Sequence, residues 1–155
     1  MAFTHLDNNN NPSMVDVSEK SVTKRTATAQ SIVVLTDEIM ANFKEGDLQT
    51  KKGSVIQTAI IAGTMGAKKT SDLIPLCHPL GLDSCKFSVE VINNEILIQC
   101  TCSLTAKTGV EMEALTGASV AALTVYDMCK AFSHDIVIKE TKLLLKTGGK
   151  SDYKV

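Results

Sequence analysis

Apolar residues in this chain recur with a period of two in some segments and near 3.6 in others, and the order of those segments admits few folds. From Lys24 to Leu35, Arg25, Ala27, Ala29, Ser31, Val33 and Leu35 fall on one strand face, with Lys24, Thr26, Thr28 and Gln30 opposite. Thr36 stands where an N-cap belongs, and Asp37 and Glu38 suit the positive end of a helix running towards Glu45 and stopped by Gly46. After Lys51-Lys52-Gly53, the residues Val55, Ile56, Ala59, Ile60, Gly63 and Ala67 follow helical spacing. Ile74 to Leu80 reads as extended, because Pro75 and Pro79 each disfavour helix in the residue before them. Cys85, Phe87, Val89 and Val91 alternate, Asn93-Asn94 turns, and Ile96, Ile98, Cys100, Cys102 and Leu104 alternate again, which describes a hairpin. A long helix is expected from Val110 to Phe132 and a last strand from Asp135 to Lys146. Strand, helices, hairpin, helix, strand is the order of a βαββαβ split unit, an α+β antiparallel sheet with helices on one face.

The 155 residues suffice for one ordinary domain. A flexible lead-in is expected over 1–13, where DNNNNPS is polar and turn-forming, followed by a single domain over 14–155. With 16 basic against 17 acidic side chains, the chain carries no overall footprint for nucleic acid or an anionic membrane, so an anionic ligand needs a local cluster of cations. The start has no basic-then-apolar pattern and no apolar run approaches a membrane span, which reads as cytoplasmic. The five cysteines suit a reducing compartment. Cys100 and Cys102 should share one strand face, but the spacing is not that of a zinc site, so the cysteines are expected to be structural and no metal site is expected. The small residues Gly63, Gly66, Ala118, Ala121 and Ala122 allow tight helix contacts, and with one sheet face left uncovered they favour an oligomer.

Several residues invite two readings. Arg25 is either an arginine snorkelling off a strand end or one at a cleft rim. His78, between Cys77 and Pro79, is either an acid, base or phosphate donor on a stiff platform, or a loop histidine satisfied by a backbone carbonyl. Asp127 and Lys130 are helix neighbours three apart in apolar surroundings; either they form a solvated pair, or they are half-buried groups with tunable pKa values. Glu111 and Glu113 either favour a helix dipole or accept from the N–H edge of a guanine-like ring. Lys52 before Gly53, and Lys146 before Gly148-Gly149, are plausible anion contacts, while the absence of GxxxxGK[ST] excludes P-loop chemistry. Glu113 and Asp127 are fourteen residues apart, about 21 Å along one helix and about 40° around it. They cannot touch one reacting atom, so a long substrate spans the helix or sites are assembled from two subunits.

MVDVS (Met14–Ser18), DLIPLCHPL (Asp72–Leu80), KTGVEMEALT (Lys107–Thr116), ASVAALTVYDMCKA (Ala118–Ala131) and KTGGKS (Lys146–Ser151) together resemble the MoaC family over nearly the whole chain. The resemblance implies a ferredoxin-like α+β fold and a homohexamer of dimers with active sites at subunit interfaces. It implies conversion of (8S)-3',8-cyclo-7,8-dihydroguanosine 5'-triphosphate to cyclic pyranopterin monophosphate and pyrophosphate in molybdenum cofactor biosynthesis. By the same resemblance Asp127, Lys130 and Lys52 match catalytic positions. Leu76, Cys77, His78, Met112 and Glu113, with Glu111 beside them, match a substrate-binding segment, and Arg25 and Lys146 match basic pocket residues. The resemblance assigns no cofactor with certainty, and Mg2+ on the triphosphate is chemically reasonable. The GGKSDYKV tail departs from relatives that carry a glycine before the aspartate, which leaves the tail's path open. The rival readings are a non-catalytic ferredoxin-like module that binds a small ligand for regulation, and an interaction subunit of a larger complex.

Overall fold

The computed structural model describes Leu6 and residues 9–155. The expected flexible segment falls in part on residues 1–5 and 7–8, outside the described residues. The first strand, β1 (Thr23–Val34), carries the alternating face read from the sequence: Ala27, Ala29, Ser31 and Val33 are buried. The hairpin is β4 (Ser84–Ile92) and β5 (Glu95–Ala106), turned at Asn93, whose positive φ of 54° asparagine tolerates better than most residues. Two helices, α2 (Val55–Lys68) and α4 (Glu111–Cys129), pack on each other, and β6 (Val137–Thr147) closes the βαββαβ set. With a short β7 (Tyr153–Lys154) the sheet order is β4-β5-β1-β6-β7, with antiparallel pairing throughout.

The core lies between sheet and helices. Val33 pairs with Ile96, Ala29 with Cys100 and Ala27 with Cys102, all pointing towards the buried Ala114, Ala118, Ala121 and Val125 of α4. The reverse face carries Thr28 against Thr101, hydroxyls 2.8 Å apart, and Gln30 accepting from Gln99 at 3.1 Å. This split is what a period of two produces when one face is covered.

Four local expectations need correction. The helix after Thr36 is only α1 (Asp37–Met40); Thr36 caps it, but Lys44 and Asp47 pair in a tight turn with Glu45 and Gly46 both at positive φ. Lys51 and Lys52 sit at the tip of an unanticipated two-stranded hairpin, β2 (Gln49–Thr50) and β3 (Gly53–Ser54). The segment after α3 (Thr70–Leu73) is not extended throughout: the Cys77 N–H donates to the Ile74 carbonyl at 3.1 Å, closing a turn with Pro75 where its fixed φ is favoured. Finally, the small helix residues are used inside the chain. A Cβ on Gly63 would come 2.8 Å from the Gly117 carbonyl, one on Gly66 would come 2.7 Å from Val120, and Ala118, Ala121 and Ala122 are wholly buried. The two glycines set the α2–α4 approach, and the buried alanines are not free to make contacts between subunits.

Candidate functional site

The two ends of α4 open onto two different clefts. At the C-terminal end, Asp127 accepts from Lys130 Nζ at 2.8 Å through Oδ1 and from Lys52 Nζ at 3.0 Å through Oδ2. Lys130 is one helical turn away, whereas Lys52 arrives on the β2–β3 hairpin. That hairpin is fixed by Asp47, whose carboxylate accepts from the Leu48 N–H at 2.7 Å, the Ile56 N–H at 3.0 Å and the Ser54 hydroxyl. The three charges line a cleft of about 750 Å³ with Thr50, Phe132 and His134.

Asp127 and Lys130 form the ion pair expected three residues apart, with side chains 52% and 48% exposed, so desolvation is not what moves their pKa values. The shifts come from pairing instead. Lys130, then Lys52, holds the Asp127 carboxyl below its usual range, and Asp127 holds the Lys130 ammonium above its own. Asp127 is thus an ionised acceptor between two charged donors.

At the N-terminal end of α4, Leu76, Cys77, His78, Glu111, Met112 and Glu113 meet around a cavity of about 570 Å³. Glu113 shares a helix face with Asp127, yet only 4% of it is exposed; residues of the 74–80 segment meet this end of the helix around the cavity, whereas the Asp127 end opens on a cleft. Burial, then the neighbouring Glu111, pushes the Glu113 carboxyl up; burial, then Glu113, does the same to the Cys77 thiol. His78 Nε2 lies 2.9 Å from the Val15 carbonyl. A carbonyl only accepts, so Nε2 carries the proton and the imidazole is satisfied by backbone, the plainer of its two readings. Lys107 Nζ donates to the Ser18 carbonyl at 2.6 Å, so two side chains tie the 14–18 segment over the cavity.

A basic groove of about 380 Å³ continues from that cavity, sharing Lys20, Thr108 and Gly109 with it and adding Arg25, Lys107 and Lys150. Arg25 is buried: its guanidinium donates to the Ala106 and Lys107 carbonyls, each at 3.4 Å, and so reaches into the groove from the strand face rather than snorkelling away. Gly148, at φ 81°, and Gly149 let the tail pass here. A Cβ on Gly148 would run into the Lys24 carbonyl, and one on Gly149 would come 3.1 Å from the Arg25 guanidinium. The tail then turns back as β7 on β6, held by the Gly148 N–H donating to Asp152 at 3.0 Å. Lys146 pairs with Glu111 at 3.3 Å beside the same groove.

The residues singled out by sequence therefore form two groups: Lys52, Asp127 and Lys130 at one end of the helix, and Arg25, Leu76, Cys77, His78, Glu111, Met112, Glu113 and Lys146 at the other. Sequence reasoning passed over Lys20, Val15 and Val17, which line the second group's cavity, and Phe132 and His134, which line the first cleft. The available signals were the MVDVS run, which contains Val15 and Val17, and His134 lying four residues beyond Lys130, just past the helix end.

A ferredoxin-like α+β domain with an ionised Lys–Asp–Lys cluster at one end of its central helix and a basic, glycine-lined groove at the other has the form of a small-molecule enzyme handling a polyanion. The chain belongs to the MoaC family, whose model matches residues 14–149. It is 53% identical over 151 residues to the cyclic pyranopterin monophosphate synthase of Xanthomonas axonopodis pv. citri (strain 306), covering 97% of this chain and 92% of that one. To the enzyme of the same name from Lysinibacillus sphaericus (strain C3-41) it is 52% identical over 153 residues, covering 96% and 94%. It is 55% identical over 155 residues to the molybdenum cofactor biosynthesis bifunctional protein of Synechocystis sp., covering 97% of this chain and 45% of that one. No helix among the described residues is long and apolar enough to cross a membrane.

Proposed function

We propose that this protein is a cyclic pyranopterin monophosphate synthase of molybdenum cofactor biosynthesis. It converts (8S)-3',8-cyclo-7,8-dihydroguanosine 5'-triphosphate to cyclic pyranopterin monophosphate and releases pyrophosphate, as a lyase does. The observation that carries this reading is the Lys52–Asp127–Lys130 cluster, at 2.8 and 3.0 Å, in an open cleft of a MoaC-family chain. Opening a purine-derived ring and rebuilding it as a pterin requires protons delivered to leaving nitrogens and removed from attacking ones. An ionised carboxylate held between two ammonium groups can accept a proton, and either lysine can donate one. Closing the cyclic phosphate requires a hydroxyl to attack the α-phosphate as pyrophosphate departs, and cations to stabilise the charge that develops. Arg25, Lys20, Lys107, Lys146 and Lys150 supply that charge, and the buried Glu113 beside them suits the N–H edge of the base. Among the described residues, the only carboxylate lining the groove around Lys146 is Glu111, already paired there, so Mg2+ would ride on the phosphates rather than in a protein cage.

The complete site is built from two chains in a homohexamer of dimers. Support comes from the helix itself: its two functional ends are about 21 Å apart, too far for one compact substrate to reach both. Ile61, Met65 and Leu123 lie exposed on the helix layer, an apolar surface a neighbouring copy would cover. The five cysteines are all unpaired, which suits a cytoplasmic setting. The deciding experiment is to incubate the purified protein with the cyclised GTP derivative and assay pyrophosphate together with an oxidisable pterin. Both products should appear in equal amounts; a ligand-bound protein that forms neither refutes the catalytic reading.

A further inference from the structure

Three sulfur atoms meet away from both clefts. Cys85 faces Cys102 directly across β4 and β5, and Cys100 lies two residues along β5 on the same face. The Sγ separations are 3.9 Å (Cys85–Cys100), 3.8 Å (Cys100–Cys102) and 3.8 Å (Cys85–Cys102), a nearly equilateral triangle. Cys100 and Cys102 are wholly buried beneath α4, and Cys85 is half buried at the edge strand. Gly117 makes the room, since a Cβ there would come 2.7 Å from the Cys100 sulfur.

We infer that Cys85, Cys100 and Cys102 form a binding site for one copper(I) ion in three-coordinate thiolate geometry. The centre of a triangle with these edges lies about 2.2 Å from each corner, close to the roughly 2.3 Å of a metal–thiolate bond. The three sulfurs are thus already spaced for one ion. Thiolates select soft ions. Zinc takes four ligands in structural sites, and among the described residues this group offers three. Iron–sulfur clusters likewise ask for four cysteines. Copper(I), a soft monovalent ion, suits three thiolates without a further protein ligand.

The Cys102 S–H donates to the Cys85 sulfur at 3.8 Å, and the Cys100 sulfur lies in contact with both. As the ion binds, S–H protons are displaced to solvent and no electron is transferred.

The test is an anaerobic titration of the reduced full chain with copper(I) held by the chromogenic chelator bicinchoninate. The wild type should withdraw one copper per chain, and X-ray absorption should find three sulfur neighbours and no fourth ligand. Cys85→Ser, at a half-buried position where serine is tolerated, and Cys102→Ser should lose this stoichiometric binding, while Cys77→Ser should retain it. Circular dichroism establishes that each variant is folded; should Cys102→Ser unfold, Cys85→Ser decides alone. Copper left wholly with the chelator, undiminished binding by Cys85→Ser, or preferential uptake of zinc in four-coordinate form would each overturn the assignment.

Discussion

The Lys52 ammonium stands 3.0 Å from the Asp127 carboxylate although the two residues are 75 apart in sequence. The second donor, Lys130, is only three residues away on the same helix. One carboxylate thus joins a local pair to a distant hairpin tip. Because all three side chains are about half exposed or more, solvent screens their ion pairs, which contribute little to stability.

That small stabilisation separates function from structure. Asp127→Asn should melt within a few degrees of the wild type, since solvent-exposed ion pairs add little to stability. Pterin formation should nevertheless fall by about 10²–10⁴, the usual worth of a positioned proton-transfer group. Lys130→Ala and Lys52→Ala should follow the same pattern. Calorimetry alongside the product assay checks this; wild-type turnover in Asp127→Asn removes the cluster from the mechanism.

Two-chain sites are tested by complementation. Glu113→Ala and Asp127→Asn proteins, each inactive, should recover activity when mixed under conditions that let subunits exchange, because some interfaces then hold one intact site. The recovered fraction should match random assortment. If exchange is complete by mass spectrometry and nothing returns, the shared-site arrangement fails.

Glu113 gives a pH signature of definite sign. Burial raises its native carboxyl above the ordinary 4.5, so the folded chain keeps a proton that the unfolded chain has released. Stability must then fall as pH rises from about 4.5 through the raised native value, and the loss persists above it. Glu113→Gln carries no charge to desolvate. Its Tm minus that of the wild type should grow across this window and stay positive at pH 7. A difference that does not vary with pH would show that the carboxylate is solvated or paired in the native assembly.

Gly148→Ala should destabilise the chain by at least the 1–2 kcal/mol or so of a left-handed backbone in a residue with a Cβ, since φ is 81° and the new methyl would also meet the Lys24 carbonyl. Gly81→Ala, with open space around the added carbon, is the control and should melt like the wild type. Equal melting of the two variants would mean that the tail takes another path.

Local chemistry in the sequence determined the period-two face of β1 from Ala27 to Val33, the Asn93-Asn94 hairpin, the span of α4 and the pairing of Asp127 with Lys130 three residues on. Each of these is decided by residues within one turn or one strand repeat of each other. The family resemblance, carried by long ordered runs, pointed to Lys52, Arg25 and Lys146, but no spacing rule could say what they touch. Tertiary structure alone decided that the small residues of α2 and α4 meet within the chain, because helix spacing is legible in sequence while the identity of the facing helix is not. It decided that Glu113 is buried and Asp127 exposed, though an ideal helix puts them on one face, because burial depends on whether a distant segment folds over that end. It also brought Cys85 against Cys102: residues seventeen apart become cross-strand neighbours only once the hairpin register is set, and register is a property of the paired strands together.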